Sequence, residues 1–135
     1  MGFTDKFRVQ HNDILKLAGE ITGELNASAD AAKVRKLLSN MAGKINFHLA
    51  MEDKALYPRL LEQKDTQVNA LATRFMKEMG GLGEVFTAYN SKWQVSAIRA
   101  NPAQFTDETR QVFAALTNRI ARENRELYPL ADRDA

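Results

Sequence analysis

The chain has 135 residues, of which 44% are hydrophobic and 27% charged, a composition typical of globular proteins rather than disordered or membrane-spanning ones. It contains no cysteine, which excludes disulfides, cysteine-ligated zinc, iron–sulfur clusters and thiol nucleophiles, and it contains two histidines. Nineteen Lys and Arg against seventeen Asp and Glu leave a net charge of +2, too small a surplus to indicate nucleic-acid binding. The length predicts a single domain over residues 1–135.

Apolar residues recur at intervals of three and four along most of the chain, and this spacing is typical of amphipathic helices. No stretch shows the sustained alternation of a β-strand. The pattern predicts four helices, near residues 3–26, 29–64, 66–99 and 106–132. We therefore expect an all-α fold, an up-down-up-down four-helix bundle.

Three short breaks separate these helices. Residues 26–30 and Asp65-Thr66 supply polar side chains suited to turns and helix caps. Asn101-Pro102 ends the third predicted helix, and Thr106-Asp107 begins the fourth. Because the first two connections are short, consecutive helices are expected to lie antiparallel.

An internal repeat links the second and fourth predicted helices. The stretch 48–58 matches the stretch 119–129, and each has a Glu followed four residues later by Leu-Tyr-Pro. Each Pro falls inside a predicted helix, where it removes one backbone hydrogen bond and bends the rod. The matched positions of this defect predict a shared geometry in the two helices.

Four polar residues interrupt the apolar stripes of three helices: His11, His48, Glu52 and Glu123. His48 and Glu52 are four residues apart, so their side chains lie on one helix face. An ionised carboxylate in an apolar core is costly unless a cation compensates it. Two imidazoles and two carboxylates that converge in the core could provide a site for a divalent metal.

These residues resemble the hemerythrin-like (HHE) cation-binding domains, and the resemblance covers nearly the whole chain. The matching pieces are residues 11–14, 48–52 with 56–58, and Glu123 with 127–129. In that family, four helices hold two non-haem irons with imidazoles and two bridging carboxylates. The resemblance implies metal ligation by His11 and His48, with Glu52 and Glu123 as the bridging carboxylates.

The resemblance also implies that two ligands are lost. The family's helix-three histidine falls on Met79 and its helix-four histidine falls on Arg119, and both would serve the same iron. Reversible oxygen binding needs both irons, so an oxygen carrier is not expected. Two possibilities stay open: one Fe or Zn ion on the four remaining ligands, or a metal-free cluster in which Arg119 pairs with the carboxylates.

Other residues near the predicted site have less specific interpretations. Met79 is interpreted as a core residue, and Tyr57 and Tyr128 as packing residues whose hydroxyls could support the ligands. Gly80, Gly81 and Gly83 indicate a close approach of the third helix to a neighbour or a local break, with a small pocket or channel above the site as the alternative.

The sequence predicts a metal-binding or sensing module with one non-haem Fe or Zn ion, or none, rather than an enzyme. The first alternative is a metal-free helical interaction module that acts in signalling. The second is a di-iron protein of the iron–sulfur repair kind, which the replacements at 79 and 119 oppose. With neither an apolar leader nor a membrane span, we expect a cytoplasmic protein. We further expect a protein partner, no nucleic-acid or membrane partner, and a monomer or homodimer.

Overall fold

The computed structural model describes residues 2–27 and 30–133, and within these ranges the side chains of Ala27, Met79 and Arg133 are not described. The elements of the described chain are all helical, and the predicted all-α four-helix bundle is confirmed. The α-helices are α1 (Asp5–Ala27), α2 (Ala31–Met51), α3 (Tyr57–Leu61), α4 (Thr66–Met79), α5 (Leu82–Lys92), α6 (Val95–Ala100), α7 (Pro102–Arg122) and α8 (Tyr128–Arg133).

Two π-helical segments, Glu52–Leu56 and Glu123–Leu127, join these helices into longer rods. The first rod is α1, and the second consists of α2, a π-segment and α3. The third rod consists of α4 and α5, and the fourth of α7, a π-segment and α8. The short helix α6 lies between the third and fourth rods.

Two of the helices begin at polar capping residues in the breaks, as predicted. Asp30 accepts hydrogen bonds from the backbone N–H groups of Ala32 and Lys33 at the start of α2. Asp65 does the same for the first turn of α4. The predicted start of the fourth rod at 106 is wrong, because α7 begins at Pro102. A proline fits the first turn of a helix, where its missing N–H has no partner to lose.

The prediction of one continuous helix over 66–99 is also wrong. Gly80 and Gly81 form a turn between α4 and α5, and a Cβ on Gly80 would collide with the carbonyl oxygen of Met76. A Cβ on Gly83 would lie 3.1 Å from Leu49 Cδ1, so α5 approaches α2 closely. The glycines thus provide both the local break and the close approach that the sequence indicated.

Two hydrophobic cores fill the bundle, one toward each end. The larger core is formed by buried residues of α1, α2 and α5 to α7, among them Ile14, Ile45, Phe86 and Ile120. The smaller core contains Phe7, Leu56, Tyr57, Leu60, Val68, Ala72, Phe75, Leu127, Tyr128 and Ala131. In the first, second and fourth rods, the four polar residues singled out above lie in sequence between the positions that contribute to the two cores. They therefore form a polar layer between two apolar ones.

Among the described helices, none is both long enough and apolar enough to cross a membrane.

Candidate metal centre

The structure brings the four sequence-predicted ligands together in the core of the bundle. His11, His48, Glu52 and Glu123 are at most 4% exposed. Each offers one nitrogen or oxygen atom, and these four atoms all lie within 4.8 Å of one another. The first, second and fourth rods each contribute to this site.

The π-segments position the two carboxylates. Glu52 and Glu123 are the first residues of their segments, and the carbonyl of each accepts a hydrogen bond from the backbone N–H five residues later. Pro58 and Pro129 follow these donors directly and have no N–H of their own, so the regular helical ladder cannot continue through them. A π-turn is a wider loop of helix that often occurs at functional sites. The sequence repeat predicted the shared defect, and the structure shows its form.

Each histidine is oriented by an amide side chain. His48 Nδ1 lies 2.6 Å from Gln10 Oε1, and His11 Nδ1 lies 2.9 Å from Asn124 Oδ1. Because an amide oxygen only accepts, each Nδ1 donates its proton outward and each Nε2 faces the carboxylates with a lone pair. Metal-ligating histidines in proteins are oriented in this way.

The inward nitrogens face carboxylate oxygens directly. His48 Nε2 lies 3.0 Å from Glu52 Oε1, and His11 Nε2 lies 3.3 Å from Glu123 Oε1. Burial is the main cause that lowers the pKa of His48 to about 3, and the neighbouring His11 and Arg119 act in the same direction. His48 Nε2 is therefore unprotonated at neutral pH, and both His48 Nε2 and Glu123 Oε1 are buried without a hydrogen-bond donor. A buried nitrogen lone pair opposite a carboxylate oxygen, as at His48 Nε2 and Glu52 Oε1, is an arrangement that a bound cation would stabilise.

The two tyrosines of the repeat cross over to the opposite rod. The hydroxyl of Tyr57 in the second rod donates to Glu123 Oε2 at 3.2 Å. The hydroxyl of Tyr128 in the fourth rod donates to Glu52 Oε2 at 2.7 Å, and its oxygen lies 3.0 Å from His11 Nε2. Burial raises the pKa of both hydroxyls, so they remain protonated donors. Both tyrosines also pack in the smaller core, as the sequence interpretation had it.

Arg119 is the cation that the structure places beside the carboxylates. It is 5% exposed, and it contacts Glu52 Oε1 through Nη2 and Glu123 Oε2 through Nε, each at 3.4 Å. Burial opposes its charge, but Glu123, Tyr57 and Glu52 together outweigh this effect and leave the pKa of Arg119 above its ordinary value. Burial, only partly offset by His11 and Arg119, raises the pKa of Glu123.

A family model described as the hemerythrin HHE cation-binding domain matches residues 2–131 of the chain. The chain belongs to this family. The comparisons find no match among curated proteins or among solved structures. The resemblance seen in the sequence is thus confirmed over nearly the full length, and the family is one described as cation-binding.

The four side chains of this HHE domain fit a metal ion. Bonds of about 2.0–2.2 Å from a metal to nitrogen and oxygen place tetrahedral ligands roughly 3.3–3.6 Å apart. The observed nitrogen-to-oxygen separations of 3.0 and 3.3 Å are close to this range. The two undonated atoms, His48 Nε2 and Glu123 Oε1, belong to the same set.

The sequence did not predict the two amide residues that contact the histidines, Gln10 and Asn124. Gln10 and Asn124 each lie one position from an inward residue, so the apolar stripe does not include them. A signal that could have found them is the amide beside each ligand, Gln10 next to His11 and Asn124 next to Glu123. The prediction that Met79 packs in the core concerns a side chain outside the described part of the chain.

A cleft of about 880 Å³ opens between the second and third rods beside the metal centre. Tyr57 and Arg119 line it at the interior, and Gly80 and Gly83 line it where α4 meets α5. Its remaining walls are mostly apolar, with exposed carboxylates at Asp53 and Glu84. A pocket next to the site was the alternative interpretation of the glycines, and the structure contains one in addition to the close approach.

Proposed function

We propose that this HHE domain binds one non-haem metal ion, Fe or Zn, through His11, His48, Glu52 and Glu123. When bound, the ion supplies the positive charge and the open coordination positions through which such sites respond to small ligands. The domain acts as a sensing module that communicates with a protein partner, rather than as an enzyme or an oxygen carrier. Arg119 supports this restriction, because an arginine replaces a ligand that the second iron needs.

One observation carries the proposal. The unprotonated Nε2 of His48 faces Glu52 Oε1 at 3.0 Å in a buried setting, and that nitrogen has no hydrogen-bond donor. Gln10 fixes this orientation from the other side of the ring. A histidine that merely packed in a core would direct its lone pair toward a donor. Here it is directed toward a carboxylate, the arrangement that a metal ion satisfies.

The contacts of Arg119 favour a second candidate, a metal-free interaction module. The guanidinium reaches both carboxylates and so balances part of their charge without a metal. Arg119 does not donate to His48 Nε2, however, because that nitrogen has no hydrogen-bond partner among the described residues. The metal-free alternative therefore leaves the approach of His48 Nε2 to Glu52 Oε1 unexplained. The metal-binding function accounts for more of the geometry.

Elemental analysis of protein purified without chelators tests the proposal. About one equivalent of Fe or Zn is expected, and the His48→Ala variant should lose it because one of four ligands is gone. Phe47→Ala is the matched control, since Phe47 is the preceding residue and is 62% exposed. The control should keep its metal.

Two results would contradict the proposal in different ways. Two equivalents of iron with a peroxide-to-iron absorption band in air would mean that the second site works despite Met79 and Arg119. Protein without metal, unchanged in stability on addition of EDTA, would support the metal-free module instead.

A further inference from the structure

We propose that Arg119 is a displaceable internal cation, which leaves Glu52 and Glu123 when the metal binds and moves into the cleft between the second and third rods. Metal loading would then change the charge of an accessible surface. This inference rests on the proposed metal-binding function, and it adds a way in which metal binding in the core changes the surface of the protein.

The first reason is that Arg119 and the proposed metal compete for the same carboxylates. Glu52 Oε1 lies 3.0 Å from His48 Nε2 and 3.4 Å from Arg119 Nη2. A metal bound to this oxygen would therefore lie within a few ångströms of a guanidinium that is buried beside it. Two cations at such a distance in a low-dielectric interior repel each other strongly. One of them has to move, and the guanidinium is on a long, flexible side chain.

The second reason is that the contacts of Arg119 with the two carboxylates are long. Both of its carboxylate contacts are 3.4 Å long, whereas charge-assisted hydrogen bonds are commonly 2.7–2.9 Å. Arg122, three residues later on the same helix, contacts Glu78 at 2.9 Å although its side chain is more exposed than that of Arg119. Metal binding would therefore break two long contacts with these carboxylates rather than two short, well-aligned ones.

The third reason is that the cleft offers both space and acceptors. Arg119 already lines this cleft of about 880 Å³, and the carboxylates of Asp53 and Glu84 line it nearer to solvent. A displaced guanidinium would thus pass along this cleft from two buried carboxylates to two exposed ones. In the metal-loaded state the outer part of the cleft, near Asp53 and Glu84, would carry one more positive charge than in the metal-free state.

Nitrogen-15 NMR of arginine-labelled protein tests the displacement directly. The Nε–H proton of Arg119, which donates to buried Glu123, should be protected from solvent exchange in metal-free protein. Addition of diamagnetic Zn²⁺ should shift this resonance and raise its exchange rate at least tenfold. The resonance is assigned by its loss in Arg119→Lys, which keeps the positive charge and so protects the fold.

Charge variants of the cleft test the destination. The double variant Asp53→Asn with Glu84→Gln removes the acceptors and should weaken Zn²⁺ binding about fivefold or more. Its matched control is Asp13→Asn with Glu62→Gln, which removes two exposed carboxylates outside the cleft. The control should change the affinity by less than about twofold, the effect of distant surface charge alone.

The outcomes separate this inference from the function on which it rests. If Zn²⁺ binds the wild type and His48→Ala abolishes the binding, but the Arg119 Nε–H stays protected, displacement is wrong and the metal site stands. Equal effects of the two double variants would overturn the cleft as the destination. If Zn²⁺ does not bind the wild type at all, the proposed function itself fails.

Discussion

At the scale of single residues, side chains of the candidate metal centre connect different rods. The hydroxyl of Tyr128 is the clearest case, because it joins Glu52 of the second rod and His11 of the first. Tyr57 makes only one such contact among the described residues, to Glu123, and at 3.2 Å it is longer than the bond from Tyr128 to Glu52. The two tyrosines are equivalent in the sequence repeat, yet their surroundings are unequal.

This inequality predicts unequal losses of stability. Tyr128→Phe removes a 2.7 Å hydrogen bond to buried Glu52 and should lower the free energy of unfolding by about 2 kcal/mol. Tyr57→Phe removes a 3.2 Å bond and should cost about 1 kcal/mol. Urea denaturation in EDTA measures both variants, and each is the control for the other because the same atom is deleted. Equal losses would mean that the two hydroxyls contribute alike and that the distances carry no energetic information.

The sequence predicted the inward residues well and their supports poorly. His11 and Glu123 were found because a polar residue on an apolar stripe needs a reason to be there, and all four predicted ligands are buried together. Gln10 and Asn124 could not be found in this way, because they lie beside the inward positions of their helices and not on them. A position of Arg119 beside the carboxylates was one of two possibilities that the sequence left open, and the structure shows that Arg119 contacts both.

At the scale of elements, the two π-segments explain why the helices of the repeat bend where they do. A helix with a regular ladder would keep one stripe inward along its full length. From the end of the π-segment onward the fourth rod instead buries Leu127, Tyr128 and Ala131, and Leu130 is only partly buried. The sequence showed that Pro129 interrupts the helix, but periodicity alone cannot tell a kink from an inserted residue.

Another element-scale feature is the capping of the C-terminal end of α5 by Arg35 of α2. Its Nη1 donates to the backbone carbonyls of Asn90 at 2.8 Å and of Trp93 at 2.6 Å, where α5 ends. The last carbonyls of a helix lack intrahelical partners, and a guanidinium can satisfy two at once. This contact holds the end of the third rod against the second at the side of the larger core.

Arg35→Met should therefore loosen α5 at its end and lower the free energy of unfolding by about 2 kcal/mol. Hydrogen exchange should accelerate at the amides of residues 89–98 and stay nearly unchanged at the polar layer. Lys36→Met, which removes an exposed cation from the next position, is the matched control and should have little effect on either measurement. Acceleration throughout the protein would show that Arg35 supports the whole bundle rather than one helix end.

At the scale of the whole molecule, the bundle consists of two apolar cores with a polar layer between them. The larger core and the smaller core each contain large, fully buried side chains, such as Ile14 in one and Phe75 in the other. The side chains of His11, Glu52 and Glu123 add little hydrophobic burial, and the layer requires the desolvation of several charges. The topology could be predicted because the apolar layers follow a simple period, which the polar layer only interrupts.

This architecture predicts that the polar layer is retained for function at the expense of stability. A variant that replaces the layer with apolar residues should keep its helical circular dichroism, lose all response to metal, and be more stable than the metal-free wild type by about 1–4 kcal/mol. The required substitutions are His11→Leu, His48→Leu, Glu52→Met, Arg119→Met and Glu123→Met, with Tyr57→Phe and Tyr128→Phe to avoid stranded hydroxyls. Gln10 and Asn124 are half-buried and can bind water instead.

The single variant Arg119→Met is the informative contrast, because it removes one partner of a buried cluster and leaves two carboxylates uncompensated. It should lower the stability of the metal-free protein by about 3–5 kcal/mol, and added metal should recover part of this loss. Urea denaturation with and without Zn²⁺ compares the single variant, the fully apolar variant and the wild type. A fully apolar variant less stable than the metal-free wild type would mean that the polar layer itself holds the two cores together, and that the fold depends on the site it carries.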